Sequence, residues 1–142
     1  MSERASSTTS ESQVTVDELL AAARSTLQRL TPDEACAALA HGAVLVDIRS
    51  DHQRDRDGIV PGARYVPRNV LEWRCDPASE ARDPAVSQPG QLLMLMCDEG
   101  YQSSLAAANL QRFGLTRATD VIGGFQAWRD AGLPVVVQHE IS

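Results

Sequence analysis

A chain of 142 residues, 43% of them hydrophobic, is long enough to bury one core without disulfides or metals, and it reads as one domain. Its formal net charge of −6 repels a phosphate backbone and excludes nucleic acid as a general partner. All 13 basic side chains are Arg, which excludes a catalytic lysine. The longest apolar run, Leu92 to Cys97, falls far short of the about 20 residues that cross a bilayer, so no membrane span is expected. Cys36, Cys75 and Cys97 form neither a CxxC pair nor a Cys/His cluster. No metal or organic cofactor is therefore implied, and free thiols in a reducing, cytoplasmic compartment are expected.

Residues 1–13 are polar, with no apolar stretch after their charges, and read as a disordered tail rather than a secretory signal. Thr15-Val-Asp-Glu18 has the form of a capping box, in which a Thr hydroxyl and a Glu three residues on satisfy the free amides of a helix start. Val16, Leu19, Leu20, Ala23 and Leu27 follow at helical spacing and predict an N-terminal helix within 14–29. Thr31-Pro32-Asp33-Glu34 opens a second helix with Pro32 at its first position; it runs to His41-Gly42 and carries Cys36, Leu39 and Ala40 on one face. Val44–Ile48 and Gln91–Cys97 are apolar without polar alternation. That pattern predicts strands covered on both faces, as in a parallel sheet. Between them, residues 74–89 read as a long loop of a length that is often functional or mobile. Ala106, Leu110 and Phe113 stripe a further helix that ends at Gly114. Thr119–Ile122 predicts a short strand, and Gly123-Gly124 opens a last helix with Phe125 and a core Trp128 on one side. Residues 137–142 read as a C-terminal tail. Alternating strands and helices with right-handed crossovers place helices on both faces of one sheet, an α/β domain whose ligands sit at the carboxyl ends of its strands.

Cys97 closes the most apolar strand and so falls at that edge. After it, Asp98-Glu99-Gly100-Tyr101-Gln102-Ser103-Ser104 leads into the helical Leu105–Leu110. Gly100 permits a backbone turn closed to other residues, and Ser103 or Ser104 can cap the helix start. A tight loop ending on a helix N-terminus turns several N–H groups inward as an anion-binding nest, and a thiolate held there is stabilised. The competing reading is that Cys97 is only a small buried residue ending a strand.

Four motifs stand in order: Asp47-Ile-Arg49, Pro61-Gly-Ala63, Cys97-x-x-Gly-x-x-Ser103 and Gly123-Gly-Phe-x-x-Trp128. Together, across residues 30–136, they resemble a rhodanese-like sulfurtransferase domain. The resemblance implies a three-layer α/β/α fold around a central parallel sheet of about five strands. It also implies a catalytic Cys97 that accepts a sulfane sulfur as a persulfide. Asp98, Glu99, Gly100, Tyr101 and Gln102 would supply the amides that cradle the transferred sulfur, and Ser103 would hydrogen-bond at the loop's end. Asp47 and Arg49 match the family's structural pair, from which a stabilising ion pair is expected. Its partners would be a small sulfur donor and a thiol or cyanide acceptor. Gln102 stands where many members carry Arg, Asp98 where many carry a basic residue, and Ile59 where a His is frequent; these departures count against thiosulfate, a dianion, as donor. Phosphatases of related fold need Cys-x5-Arg to grip phosphate; here the sixth position is Ser103, which excludes that activity. Arg68, Trp73 and Arg74 lie in a segment expected near the strand ends. They either rim the pocket and supply the charge the loop lacks, or form a solvated helix face. Cys36 reads as structural. Cys75 reads as a surface residue of the loop, the alternative being a thiol that resolves Cys97. The rival to an enzyme is a non-catalytic module that binds a partner or senses oxidants through Cys97. The oligomeric state is not legible in the sequence.

Overall fold

The computed structural model describes residues 13–137, so most of both expected tails lies outside the described residues. In chain order the elements are α1 (Val16–Arg24), α2 (Pro32–Ala40), β1 (Val44–Asp47), α3 (Asp51–Asp57), β2 (Arg64–Tyr65), a 3-10 turn (Arg68–Val70), α4 (Leu71–Cys75), β3 (Leu93–Met96), α5 (Gln102–Gln111), β4 (Thr119–Asp120) and α6 (Gly124–Asp130). The strands form one parallel sheet in the order β2-β1-β3-β4. About five strands were expected. At the β4 edge the place of a fifth is taken by one parallel bridge, Leu30 with Val121. Pro32 follows two residues later and opens α2, and without an N–H it cannot extend a ladder.

The missing polar alternation in the strands has its cause in the layers. Val46, Leu93, Leu95 and Cys97 face one side, where Leu71 and Cys75 of α4 and Ala106, Ala107 and Leu110 of α5 cover them. Leu45, Met94 and Met96 face the other, under Ala35 of α2 and Phe125 and Trp128 of α6. Each such large side chain taken from water contributes about 1.5–3 kcal/mol. Both predicted capping boxes form, Thr15 with Glu18 and Thr31 with Glu34.

Helix α3 and strand β2 escaped the sequence reading, while α4 was expected only as a solvated helix face. Helix α3, Asp-His-Gln-Arg-Asp-Arg-Asp, buries no residue and so has no apolar stripe; a capping box between Ser50 and Gln53 holds its start. Strand β2 is two residues long. Helix α4 is a single turn in which Leu71 and Cys75, four apart, face the core. The long loop that follows is pinned rather than loose. Val86 is fully buried, Asp83 N–H donates to the Arg74 carbonyl, and the Arg74 guanidinium donates to the Ala81 carbonyl.

Candidate active site

Cys97 lies one residue beyond β3, at the carboxyl edge of the sheet, and is 6% exposed. The chain then wraps around its sulfur and enters α5. Sγ accepts the Gly100 N–H at 3.1 Å and the Ser103 N–H at 3.4 Å. The loop keeps its carbonyls turned outward. Cys97 O accepts from Phe125 N–H at 2.8 Å and Asp98 O from Gln126 N–H at 3.1 Å, both at the start of α6. Gly100 O accepts from Arg24 at 2.8 Å and from Arg29 at 3.1 Å. In a trans peptide the N–H points opposite to the C=O, so amides between these carbonyls turn to the inside. The approach of α6 depends on glycine. A Cβ at Gly124 would lie 2.5 Å from Cys97 O, and one at Gly100, where φ is +86°, would lie 2.6 Å from Gly123 N.

The expected serine cap is corrected. Helix α5 begins at Gln102, two residues earlier than a Ser103 cap requires, and its N-cap, Tyr101, makes no side-chain cap bond. The two serines lie buried in the first turn instead, and both hydroxyls donate to Asp120 Oδ2, Ser103 at 2.7 Å and Ser104 at 2.8 Å. With its proton given to Asp120, the Ser103 oxygen acts as acceptor toward the Cys97 S–H, 3.3 Å away. Asp120 is fully buried and bonds Arg29 through both oxygens, at 2.8 and 3.2 Å. Arg24, Arg29 and Asp120 are the residues the sequence reading missed. The one available signal was a lone carboxylate, Asp120, inside the short strand expected over Thr119–Ile122.

A cleft of about 540 Å³ opens over Cys97, with Asp98, Glu99, Tyr101, Gln102, Tyr65 and Arg68 among its walls. Of the three residues considered for its rim, Arg68 lines it; it also bonds Glu72 at 2.8 Å. Trp73 and Arg74 do not line it. Leu71 and Cys75 direct one side of α4 to the core, which leaves Trp73 60% exposed and turns Arg74 to the loop behind. Asp98 is half-buried and accepts from Gln126 Nε2 at 2.9 Å, whereas Glu99 is exposed.

Asp47 and Arg49 pair at 2.9 Å with both side chains buried. Arg49 also donates to the Gly58 carbonyl and lies 3.7 Å over the Phe125 ring, and Arg54 gives Asp47 a second cation. The surface placement of Cys75 is corrected: it is fully buried at the end of α4. Burial first, then Glu72 and Asp83, pushes its thiol up to about 12. At neutral pH it is a protonated core residue, unsuited to resolving Cys97. Cys36 is half-buried against the α2–α6 side of the core.

The sequence profile of the rhodanese-like domain matches residues 31–131. Thiosulfate sulfurtransferase GlpE of Pseudomonas entomophila is 32% identical over 74% of this chain and 87% of its own. GlpE of Stutzerimonas stutzeri is 31% identical over 80% and 94%. A solved structure from Rhodopseudomonas palustris, described as a protein of unknown function and possible tyrosine phosphatase, superposes with TM-score 0.80 at 35% identity, covering 87% of this chain and 96% of that one. The two named relatives support sulfur transfer as the general activity.

Proposed function

The chain belongs to the rhodanese-like domain family, and from that premise we propose that it is a sulfurtransferase working through Cys97. The Cys97 thiolate attacks the outer sulfur of a sulfane donor. The donor's S–S bond breaks, and sulfite or a thiolate leaves with the bonding electron pair. The enzyme now holds a persulfide, whose terminal sulfur carries the charge. An acceptor thiolate, or cyanide, then attacks that terminal sulfur, and the Cys97 thiolate departs as leaving group. This is a two-step covalent cycle with ping-pong kinetics. The observation that carries the reading is the loop itself, which aims two backbone N–H groups at Sγ and ties its carbonyls to α6, Arg24 and Arg29. Such a fixed set of donors stabilises negative charge on sulfur without reorganising during the reaction.

Phosphatase chemistry, suggested by the description of the Rhodopseudomonas structure, lacks support in this loop. Ser103 stands where a bidentate guanidinium is needed, and its hydroxyl is committed to Asp120. A cytoplasmic setting fits the three unpaired cysteines; among the described residues no helix is long and apolar enough to cross a membrane.

Intact-protein mass spectrometry after exposure to a sulfane donor tests the reading. One added sulfur atom is expected in the native chain and in Cys36→Ser, and none in Cys97→Ser. A sulfur retained by Cys97→Ser would place the nucleophile elsewhere.

A further inference from the structure

Two of the side chains that hold the Cys97 loop precede the region matched by the family profile, which begins at residue 31. Arg24 ends α1, and Arg29 lies in the link to α2. Helix α1 packs along α5 with Ala23 buried, and Leu27 packs against the core beside it, so apolar contacts dock this segment. Its two guanidiniums do something else. Both donate to the same carbonyl, that of Gly100, at 2.8 and 3.1 Å. Arg24 also donates to Ser104 Oγ at 3.1 Å and lies 5.6 Å from the centre of the Tyr101 ring. Arg29, 16% exposed, pairs with the buried Asp120, which in turn receives the Ser103 and Ser104 hydroxyls.

We propose that Arg24 and Arg29 are positioning residues of the sulfur-transfer site: together they clamp the Gly100–Tyr101 peptide, and Arg24 brings to the Cys97 loop a positive charge its own sequence lacks. The inference rests on the sulfurtransferase reading and deepens it. Two facts carry it. A trans peptide whose C=O is held by two cations cannot rotate to turn that carbonyl toward the sulfur, because C=O and N–H share one rigid plane. The Gly100 N–H that reaches Sγ belongs to the neighbouring peptide of the same turn, so a slack carbonyl would loosen the donor as well. The charge argument is independent. The loop carries Asp98 and Glu99 and no basic residue, and an anionic sulfur there needs compensation. The Arg29 charge is offset by Asp120, so Arg24 provides it, through its hydrogen bonds to Gly100 and Ser104, where solvent screens it less than at the surface.

The test uses the full chain with Arg24→Gln, Arg24→Lys and Arg82→Gln. The last removes one exposed guanidinium that bonds only the Ser79 carbonyl, and so controls for net charge. Arg29→Gln would leave Asp120 buried without its cation and is expected to unfold readily, so the Arg24 variants decide. Two readouts are taken: the rate of sulfur loading onto Cys97 with a sulfane donor, and the pH profile of Cys97 alkylation. In Arg24→Gln loading is expected to fall about tenfold, the size of one charge-assisted hydrogen bond, and the alkylation profile to move to higher pH. Arg24→Lys, which keeps the charge and one donor, is expected to recover most of both. Wild-type loading and an unmoved profile in Arg24→Gln would overturn the clamp, as would an equal shift in Arg82→Gln. If the native chain takes up no sulfur while the alkylation profile still moves in Arg24→Gln alone, the clamp stands and the sulfurtransferase reading falls.

Discussion

Replacing Gly100 with alanine probes how tightly the Cys97 loop is held against α6. Two costs arise there. The backbone has φ of +86°, in the left-handed region where a Cβ costs about 1–2 kcal/mol. The new Cβ would also sit 2.6 Å from Gly123 N and 3.0 Å from Gly123 Cα. Both are backbone atoms, which a rotamer change cannot clear, so overpacking adds about 1–3 kcal/mol. Gly114 separates the two costs: its φ is +92° and nothing lies within 4 Å of its Cβ position, so Gly114→Ala carries the backbone cost alone. Urea denaturation should therefore show Gly100→Ala as the less stable variant by about 1–3 kcal/mol. The activity difference should be larger than the stability difference. A shift of about 1 Å in the amide that reaches Sγ costs on the order of 10²-fold in rate, so sulfur loading should fall by that much in Gly100→Ala and stay near native in Gly114→Ala. Equal stability losses in the two variants, with loading preserved in both, would refute the claim that contact with Gly123–Gly124 shapes the cradle.

Asp47→Ala should cost about 3–5 kcal/mol in urea denaturation, because it strands the fully buried Arg49 guanidinium. Arg82→Ala, whose guanidinium bonds only the Ser79 carbonyl at the surface, should change stability by no more than about 0.5 kcal/mol. The Asp57 carboxyl is lowered from 3.8 to about 2, first by the Arg56 hydrogen bond and, against the opposing effect of burial, also by Gln126 and Arg129. A depressed folded value means stability that is complete above the unfolded value and lost as protons bind the folded form. Denaturation followed from pH 4 to pH 2 should show that loss, and Asp57→Asn should flatten it.

The sequence announced this fold where burial leaves a pattern. Apolar β1 and β3, the two threonine capping boxes and the Gly123-Gly124 helix start could be read because continuous burial and free helix amides demand particular residues. Helix α3 could not, since it packs no apolar face and rests on Ser50, Gln53 and the Arg54–Asp47 contact. Cys75 was misplaced because one buried turn in a polar neighbourhood looks like loop; only the four-residue spacing to Leu71 marks it as core. Around the nucleophile, the loop residues were legible as a contiguous motif. Arg24, Arg29 and Asp120 were not, since they meet Gly100 and Ser103 across separations of 17 to 76 residues, and no local spacing encodes such a contact.

The two carboxylates that directly follow Cys97 predict a donor preference. Asp98 and Glu99 line the cleft through which a donor must come, and the arginines in the same lining, Arg49 and Arg68, are already paired with Asp47 and Glu72. Thiosulfate brings two negative charges to a sulfur that is itself anionic. Each carboxylate at about 4 Å adds roughly 1 kcal/mol of repulsion in bulk water and more where solvent is excluded, so the pair together slows a dianion by about tenfold or more. The two carboxylates should not behave alike. Glu99 is exposed, so its effect should fade as salt is raised. Asp98 is half-buried and fixed by Gln126, so its effect should persist. Asp98→Asn keeps an oxygen for the Gln126 bond and removes only the charge. Steady-state kinetics should therefore show kcat/KM for thiosulfate rising in Asp98→Asn at low and high salt, and in Glu99→Gln at low salt only. A less charged organic persulfide should be the better donor for the native chain and should respond little to either change. Rapid thiosulfate turnover by the native chain, unmoved by both substitutions, would mean that these carboxylates do not choose the donor.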